Sequence, residues 1–218
     1  MNSRSPTSDE AGTLMQAQLS SSTLDEETAR AEVYGLLAAL YYAAPSAELH
    51  ASLKVAVTEA PAPGALLEAS WGELVAAARS LGLAEIRREY DALFGGVGKP
   101  EIYLFASHYL SGFLNEKPLA ALRTDINALG LARDDAMPET EDHVAYICEV
   151  MRYLIAGDDV EVANLTRQRE FFTRHVLPWL PAMCDAVAAH PKARFYRQLA
   201  AFTQAFVSVE AQGFDMLE

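Results

Sequence analysis

Apolar side chains recur every three or four residues along most of this chain, and that spacing limits the fold more than any other feature. The last such stretch carries five of them at spacings of four, three, four and three: Phe195, Leu199, Phe202, Phe206 and Val209. Because an α-helix turns every 3.6 residues, these side chains share one face and can be buried together. The period-two alternation of a half-buried strand is not found. The sequence therefore predicts an all-α, single-domain bundle of about ten helices.

The helical pattern covers residues 24–212. Residues 1–23 are rich in Ser, Thr and Gln without periodicity, which predicts a disordered N-terminal tail, and residues 213–218 are expected to form a C-terminal tail. Ser46 is a candidate N-cap for the second helix. The segment PAPG at 61–64 should separate the second helix from the third.

A glycine-rich segment, GGVGKP at 95–100, predicts a loop, because glycine weakens a helix and the residue before proline avoids helical geometry. It is not a phosphate-binding loop, since Leu93 stands where that motif needs its first glycine and Pro100 where it needs Ser or Thr. The following segment, 101–114, is apolar almost all round and predicts a buried helix.

The segment PETEDHVAYICEVMRYLI, 138–155, places an acid and an imidazole just before an apolar stripe. We expect Thr140 to cap this helix, with Asp142 and His143 in its first turn and a core face formed by Val144, Ile147, Cys148, Met151, Leu154 and Ile155. The simplest reading is structural, since a carboxylate is favourable at the positive end of a helix. Metal binding is disfavoured, because Ile147 stands four residues after His143, where a second ligand would be needed. No metal and no cofactor is expected.

The net charge of the chain limits the classes of partner that it is expected to bind. It has 17 Lys and Arg against 30 Asp and Glu, a net charge of −13, so it should repel nucleic acid and anionic lipid and attract cationic partners. Its two cysteines are far apart in sequence and suit reduced core thiols. With no signal-peptide core and no apolar run of membrane-spanning length, a cytoplasmic location without stable membrane insertion is expected.

Four blocks read together carry a family resemblance. They are YDALFGG at 90–96, the segment 138–155, QREFFTRHVLPWLPAMCDAV at 168–187 and ARFYRQLAAFTQAFVSVE at 193–210. In order and spacing they resemble the TorD/DmsD/NarJ family of redox-enzyme maturation chaperones over roughly residues 30–212. After Pro100 the chain departs from many relatives, and this version resembles the branch associated with formate dehydrogenases.

The resemblance implies a non-catalytic, all-helical, cytoplasmic chaperone. Its partner would be the twin-arginine leader or apo catalytic subunit of a molybdenum oxidoreductase, possibly a formate dehydrogenase, held during cofactor insertion and before export or assembly. The chaperone would be a monomer or a domain-swapped dimer. Two other classes stay open: a helical-bundle enzyme or nucleotide-binding regulator, and an assembly scaffold that does not need the leader.

The expected peptide-binding site combines acids with aromatic rings. Asp142 and a neighbouring glutamate would accept guanidinium groups, while His143 would donate to a leader carbonyl or tune the response to pH. The apolar part of the leader would lie on rings from the segments around the glycine loop. The full predicted set is Asp142, His143, Glu139, Glu141, Tyr90, Phe94, Trp71, Tyr103, Phe105, Tyr109 and Pro100.

Overall fold

A computed structural model describes residues 26–57, 67–95, 99–133 and 138–216. Within these ranges the chain forms ten α-helices and one π-helix and contains no strand, which confirms the predicted all-α bundle. The π-helix, Phe172–Val176, directly follows α8. The α-helices are α1 (26–42), α2 (Ala47–Val55), α3 (Glu68–Ser80), α4 (Leu83–Leu93), α5 (Ala106–Ser111), α6 (Lys117–Ala128), α7 (Val144–Ala156), α8 (Leu165–Phe171), α9 (Leu180–Ala189) and α10 (Phe195–Asp215).

The long helix α10 forms the centre of the core and packs against α9, α3 and α4. Four of its five predicted core residues are buried, whereas Val209 is only partly buried and Val207 packs inward instead. The helix continues to Asp215, three residues beyond the predicted end of the domain at 212. The reason is packing, because the buried ring of Phe214 lies 5.2 Å from that of Phe172.

The first helix is joined to α10 by a partly buried ion pair. The Arg30 guanidinium donates to both oxygens of Glu210, at 2.7 and 2.9 Å, and also to Gln168 Oε1 at 3.1 Å. The Tyr34 hydroxyl donates to Glu210 as well. Near the other end of α1, the hydroxyls of Tyr41 and Thr203 are 3.0 Å apart. Polar contacts thus join α1 to α10 at two separate levels.

Several local predictions are confirmed. Ser46 caps α2, since its hydroxyl accepts from the Leu49 amide at 3.1 Å. All six predicted core residues of α7 are buried, and both cysteines are buried and free. The predicted tail at 1–23, the breaker at 61–64 and the centre of the glycine loop at 96–98 lie outside the described residues.

The prediction of one buried helix over 101–114 is wrong. The chain bends at Glu101 and Ile102 and forms no helix before Phe105, whose backbone is extended, and α5 is only six residues long. It ends at Gly112, whose φ of 80° is a left-handed geometry that favours glycine. Beyond that turn Phe113 is 71% exposed, so the apolar run is not buried all round. Alternate burial explains the extended part, because Ile102 and Leu104 face inward.

The helix after α7 is short and irregular. It starts at Leu165, after Asn164 accepts from the Arg167 amide at 3.1 Å, and changes to π geometry at Phe172. Of the described helices, none is both long and apolar enough to cross a membrane.

Candidate functional site

The predicted site is built on a short pairing between two distant segments. Phe105 and His143 form an isolated antiparallel bridge. Its two hydrogen bonds run from the Ala106 amide to the Asp142 carbonyl, 2.9 Å, and from the Val144 amide to the Leu104 carbonyl, 2.8 Å. This pattern places Phe105 and His143 in a non-hydrogen-bonded pair, in which side chains approach closely. Their rings are accordingly 5.0 Å apart and nearly perpendicular.

The Asp142 side chain is buried and forms hydrogen bonds within the chain. The residue is 1% exposed, and its Oδ2 accepts hydrogen bonds from the amide and the hydroxyl of Ser107. The Thr140 hydroxyl donates to Oδ1 at 2.6 Å. The carboxylate therefore accepts from the otherwise unpaired amide of Ser107 at the start of α5. It is not presented to a ligand, and direct acceptance of a guanidinium by Asp142 does not fit this geometry.

Glu141 is paired within the chain. Arg123 Nε donates to both of its oxygens at 3.0 Å, and Arg123 Nη2 lies 2.8 Å from Oε2. Burial alone would raise the pKa of Glu141, but the hydrogen bonds and charge of Arg123 outweigh it and lower the pKa. The Arg123 side chain is 46% exposed, so this pair borders solvent.

His143, rather than Thr140, caps α7. The predicted cap is wrong because the Thr140 hydroxyl is committed to Asp142, whereas His143 Nδ1 accepts from the Ala145 amide at 3.2 Å. Burial lowers the pKa of His143 to about 4, against the opposing charge of Asp142. The ring is then neutral at physiological pH with its proton on Nε2. The alternative in which His143 titrates near neutral pH is not supported.

The His143 ring lies near a group of partly exposed side chains. Tyr42 is 40% exposed, and its ring stands edge-on to the His143 ring at 6.3 Å. The Tyr90 hydroxyl donates to the Tyr42 carbonyl at 2.7 Å, and the charge of Glu139 helps to raise the pKa of Tyr90, second to burial. We call Tyr42, Tyr90, Phe105, Glu139 and His143 the His143 face.

Within the described parts of the chain, His143 Nε2 makes no hydrogen bond and Glu139 has no ion-pair partner. A buried neutral donor and a carboxylate thus border one patch of half-exposed rings. Such a patch can accept an apolar side chain, a carbonyl oxygen and a positive charge.

Of the remaining predicted rings, Phe94 adjoins Tyr90 of the His143 face, with 5.2 Å between ring centres, and the others lie elsewhere. Tyr103 and Tyr109 flank His108 around α5, and the Tyr109 hydroxyl donates to the Tyr103 carbonyl at 2.8 Å. Phe94 packs between Tyr41 and Tyr196.

Trp71 lies against Phe202, 5.3 Å between ring centres, and donates to the Val57 carbonyl at 2.7 Å. No ring contact joins it to the His143 face in the described structure. Pro100 is partly exposed between α4 and the extended segment.

Sequence reasoning missed three residues of this region and misassigned a fourth, Thr140. Tyr42 follows the core residue Tyr41 on the outer side of α1, so the helical period marks it as exposed but not as part of a site. Ser107 and Arg123 meet their carboxylates across 35 and 18 residues, which no local pattern reveals. Thr140 stands two residues before Asp142, a spacing at which the two side chains can form a hydrogen bond. Its hydroxyl was expected to cap the helix amides instead. Among the described residues no cluster of His, Cys, Asp or Glu could hold a metal ion.

A family model described as "Nitrate reductase delta subunit" matches residues 61–185, more than half of the chain and a range that contains the bridge and His143. The chain belongs to the nitrate reductase delta subunit family. The expected TorD-like membership is thereby confirmed, whereas the formate-dehydrogenase branch stays a prediction.

Two curated relatives agree with this family. Chaperone protein TorD of Vibrio cholerae serotype O1 is 26% identical over 140 residues, which are 61% of this chain and 64% of the relative. Chaperone protein TorD of Vibrio parahaemolyticus serotype O3:K6 is 23% identical over 135 residues, 58% of this chain and 63% of the relative. The matches span less than two thirds of either relative. Both are named as chaperones, in agreement with the expected absence of catalysis.

Proposed function

We propose that this protein is a cytoplasmic chaperone of redox-enzyme maturation that binds the leader, or the apo form, of a molybdenum oxidoreductase. Family membership and the names of the relatives support the chaperone class. The net charge of −13 favours a basic client segment. The expected client is a formate dehydrogenase, and the client is held until its cofactor has been inserted.

The leader binds at the His143 face in this proposal. The supporting observation is that His143 is 5% exposed and uncharged, lies beside half-exposed rings, and has no acceptor for Nε2 among the residues that the structure describes. Its proton is offered to a backbone carbonyl of the peptide. Asp142 acts indirectly, by holding α5 and the segment before α7 in place.

Typical free energies show that ring contacts contribute more to peptide affinity than the acids do. An exposed ion pair contributes roughly 0.2–1 kcal/mol, whereas micromolar binding needs about 8 kcal/mol. Burying a leucine-sized side chain contributes roughly 1.5–3 kcal/mol before ordering costs. Charge therefore steers the leader and apolar contact with the rings retains it. Raising the salt concentration should slow association more than it changes dissociation.

Isothermal titration with a synthetic peptide tests this site. The peptide carries two consecutive arginines followed by an apolar segment of leucine and alanine. We expect His143→Ala to weaken binding about tenfold through the lost hydrogen bond and ring contacts. His190→Ala, at the end of α9, is the matched control and should bind as the parent does. Equal affinity of folded His143→Ala and the parent would remove His143 from the site.

A pull-down distinguishes a leader-dependent chaperone from an assembly scaffold. The bait is the full chain, and the prey is a formate dehydrogenase catalytic subunit with or without its leader. Loss of capture on leader removal supports the proposal. Undiminished capture would instead favour the scaffold and contact with the body of the client.

A further inference from the structure

A small cleft lies between α6 and the irregular helix formed by α8 and the π-helix, on residues that the proposed client site does not use. Its volume is about 130 Å³. Ala128, Leu129 and Phe171 form the apolar part of its lining, and the side chains of Arg167 and Arg174 line it as well. A cavity of about 150 Å³ is large enough to hold benzene, so this one has room for a ring-sized group. We call it the α6 cleft.

Asp125 of α6 joins the two walls of the cleft, and both of its oxygens have donors. Arg174 Nη1 donates to Oδ1 at 3.1 Å and to Oδ2 at 2.9 Å, and His175 Nε2 lies 2.6 Å from Oδ2. The His175 side chain is 9% exposed and packs on Phe171, with 4.9 Å between ring centres. Asp125 is therefore satisfied from within the chain and does not call for a cationic ligand.

The hydrogen-bonding capacity that remains at the cleft belongs mainly to donors. In the part of the chain that the structure describes, Arg174 donates through Nη1 alone, and so does Arg167, at 3.3 Å to Glu170. The two arginine side chains are 69% and 50% exposed. Ion pairs so open to water are weak, so neither pair prevents its guanidinium from donating to a further anion through the other N–H groups.

The segment that forms this wall of the cleft is the basic part of an acidic chain. Residues 165–176 contain three arginines and one glutamate, a formal charge of +2, against −13 for the whole chain. The same segment contains the π turn, in which the Leu177 amide donates to the Phe172 carbonyl at 3.0 Å. Such turns are rare and occur often at functional sites.

The charges at the cleft also limit the charge of a ligand. Two carboxylates, Asp125 and Glu170, line it together with the two guanidiniums of Arg167 and Arg174. A ligand with one negative charge gains the arginine contacts at a small repulsive cost, whereas a doubly charged ligand is repelled more strongly by the carboxylates. The cleft therefore favours a monoanion.

We propose that the α6 cleft binds a small organic carboxylate whose apolar body is about the size of a benzene ring. The carboxylate accepts from Arg167 and Arg174, because the planar guanidinium matches it in shape and charge. The apolar body lies against Leu129 and Phe171. This inference is independent of leader binding at the His143 face.

An NMR titration of the isotopically labelled chain of 218 residues tests the ligand class. Benzoate is the ligand, benzamide is its uncharged counterpart of nearly the same shape, and acetate carries the charge without the ring. We expect benzoate to shift the amide signals of Leu129 and Phe171 and to bind at least about fivefold more tightly than either control. Equal binding of benzoate and either control would overturn the proposed class, and shifts confined to residues outside the cleft would overturn the site.

Two substitutions of exposed residues test the location. Arg174→Gln should weaken benzoate binding about five- to tenfold. Ala128→Phe fills the cleft without removing a charge and should abolish saturable binding. Arg152→Gln is the matched control, since Arg152 is 52% exposed in an ion pair with Glu149 on α7, and it should change the affinity by less than about twofold. A loss in Arg174→Gln no larger than in Arg152→Gln, or unchanged binding by Ala128→Phe, would refute the assignment.

Competition with inorganic phosphate completes the test. Phosphate has no apolar body and carries more charge than benzoate at neutral pH, so we expect it to displace benzoate only at concentrations at least about fivefold higher. Displacement at equal or lower concentration would mean that the cleft is a site for inorganic anions and would overturn the proposed carboxylate.

Discussion

Glu89 and Asp142 are both buried carboxylates that accept backbone amides at the start of a helix, yet they lie in very different surroundings. Glu89 accepts from the amides of Arg194, Phe195 and Tyr196 at 2.8–3.1 Å, where α10 begins. Phe195 and Tyr196 are fully buried. Asp142 accepts one amide and two hydroxyls, where the six-residue α5 begins.

The difference lies in what each carboxylate holds in place. Glu89 fixes the longest helix of the bundle in a sealed core, and so it serves the fold as a whole. Asp142 fixes the short helix α5, which lies beside half-exposed rings and the His143 imidazole. We therefore expect its effect on the structure to be local. The same hydrogen-bonding chemistry supports the framework in one region and the proposed binding surface in the other.

The largest expected effect comes from Glu89. Glu89→Ala leaves three amides at the start of α10 without their acceptor, and we expect the free energy of unfolding to fall by about 3–5 kcal/mol. Glu73→Ala, an exposed acid on α3, is the control and should change it by less than about 0.5 kcal/mol. Denaturant unfolding measures both. A loss below about 1 kcal/mol would show that α10 does not depend on this carboxylate.

A smaller and more local effect is expected for Asp142. Asp142→Ala removes one amide acceptor and frees two hydroxyls that can rotate toward water, so the loss should be about 2–3 kcal/mol. Hydrogen exchange should accelerate most at Ser107 and its neighbours in α5, with little change at 194–196. Uniform acceleration throughout the molecule would mean that both carboxylates serve the whole fold and that the contrast is false.

The smallest expected effect is a loss of folding stability at acidic pH. His143 has a folded pKa of about 4 against about 6.5 when unfolded, so between these values the unfolded chain binds more protons and stability is lost as pH falls. Lowering the pH from about 7.5 to about 5 should cost about 2 kcal/mol from this group. His143→Asn keeps a capping acceptor without the titration and should lose correspondingly less. Identical pH dependence of parent and variant would contradict this burial of His143.

The regular part of the fold was predictable because it depends on local patterns. Helical spacing gave α7 and most of α10, and the Ser46 cap follows from residue type alone. The extended segment at 101–105 was not predictable, since its partner at 142–144 is about forty residues away and the bridge has no periodicity. A short apolar run cannot by itself distinguish a helix from an extended strand.

The site was predictable in composition more than in geometry. The sequence pointed to Asp142 and His143 but did not show that the Asp142 carboxylate is enclosed by the chain, because its donors Ser107 and Thr140 meet it only in the folded state. Phe105 and Tyr90 lie near His143 and Tyr42, whereas Trp71 packs elsewhere, and the binding roles of these residues stay a prediction. Tyr42 carried no motif.

The ion pair between Arg30 and Glu210 fixes the beginning of α1 to α10. Twelve residues separate Arg30 from Tyr42, about 18 Å along a stiff helix. At Arg30 the helix is held to α10 and, through Gln168, to α8, and one residue before Tyr42 the Tyr41 hydroxyl lies 3.0 Å from that of Thr203 in α10. Because α1 is held at both ends, a load applied at Tyr42 is shared between the Tyr41–Thr203 contact and the Arg30–Glu210 ion pair.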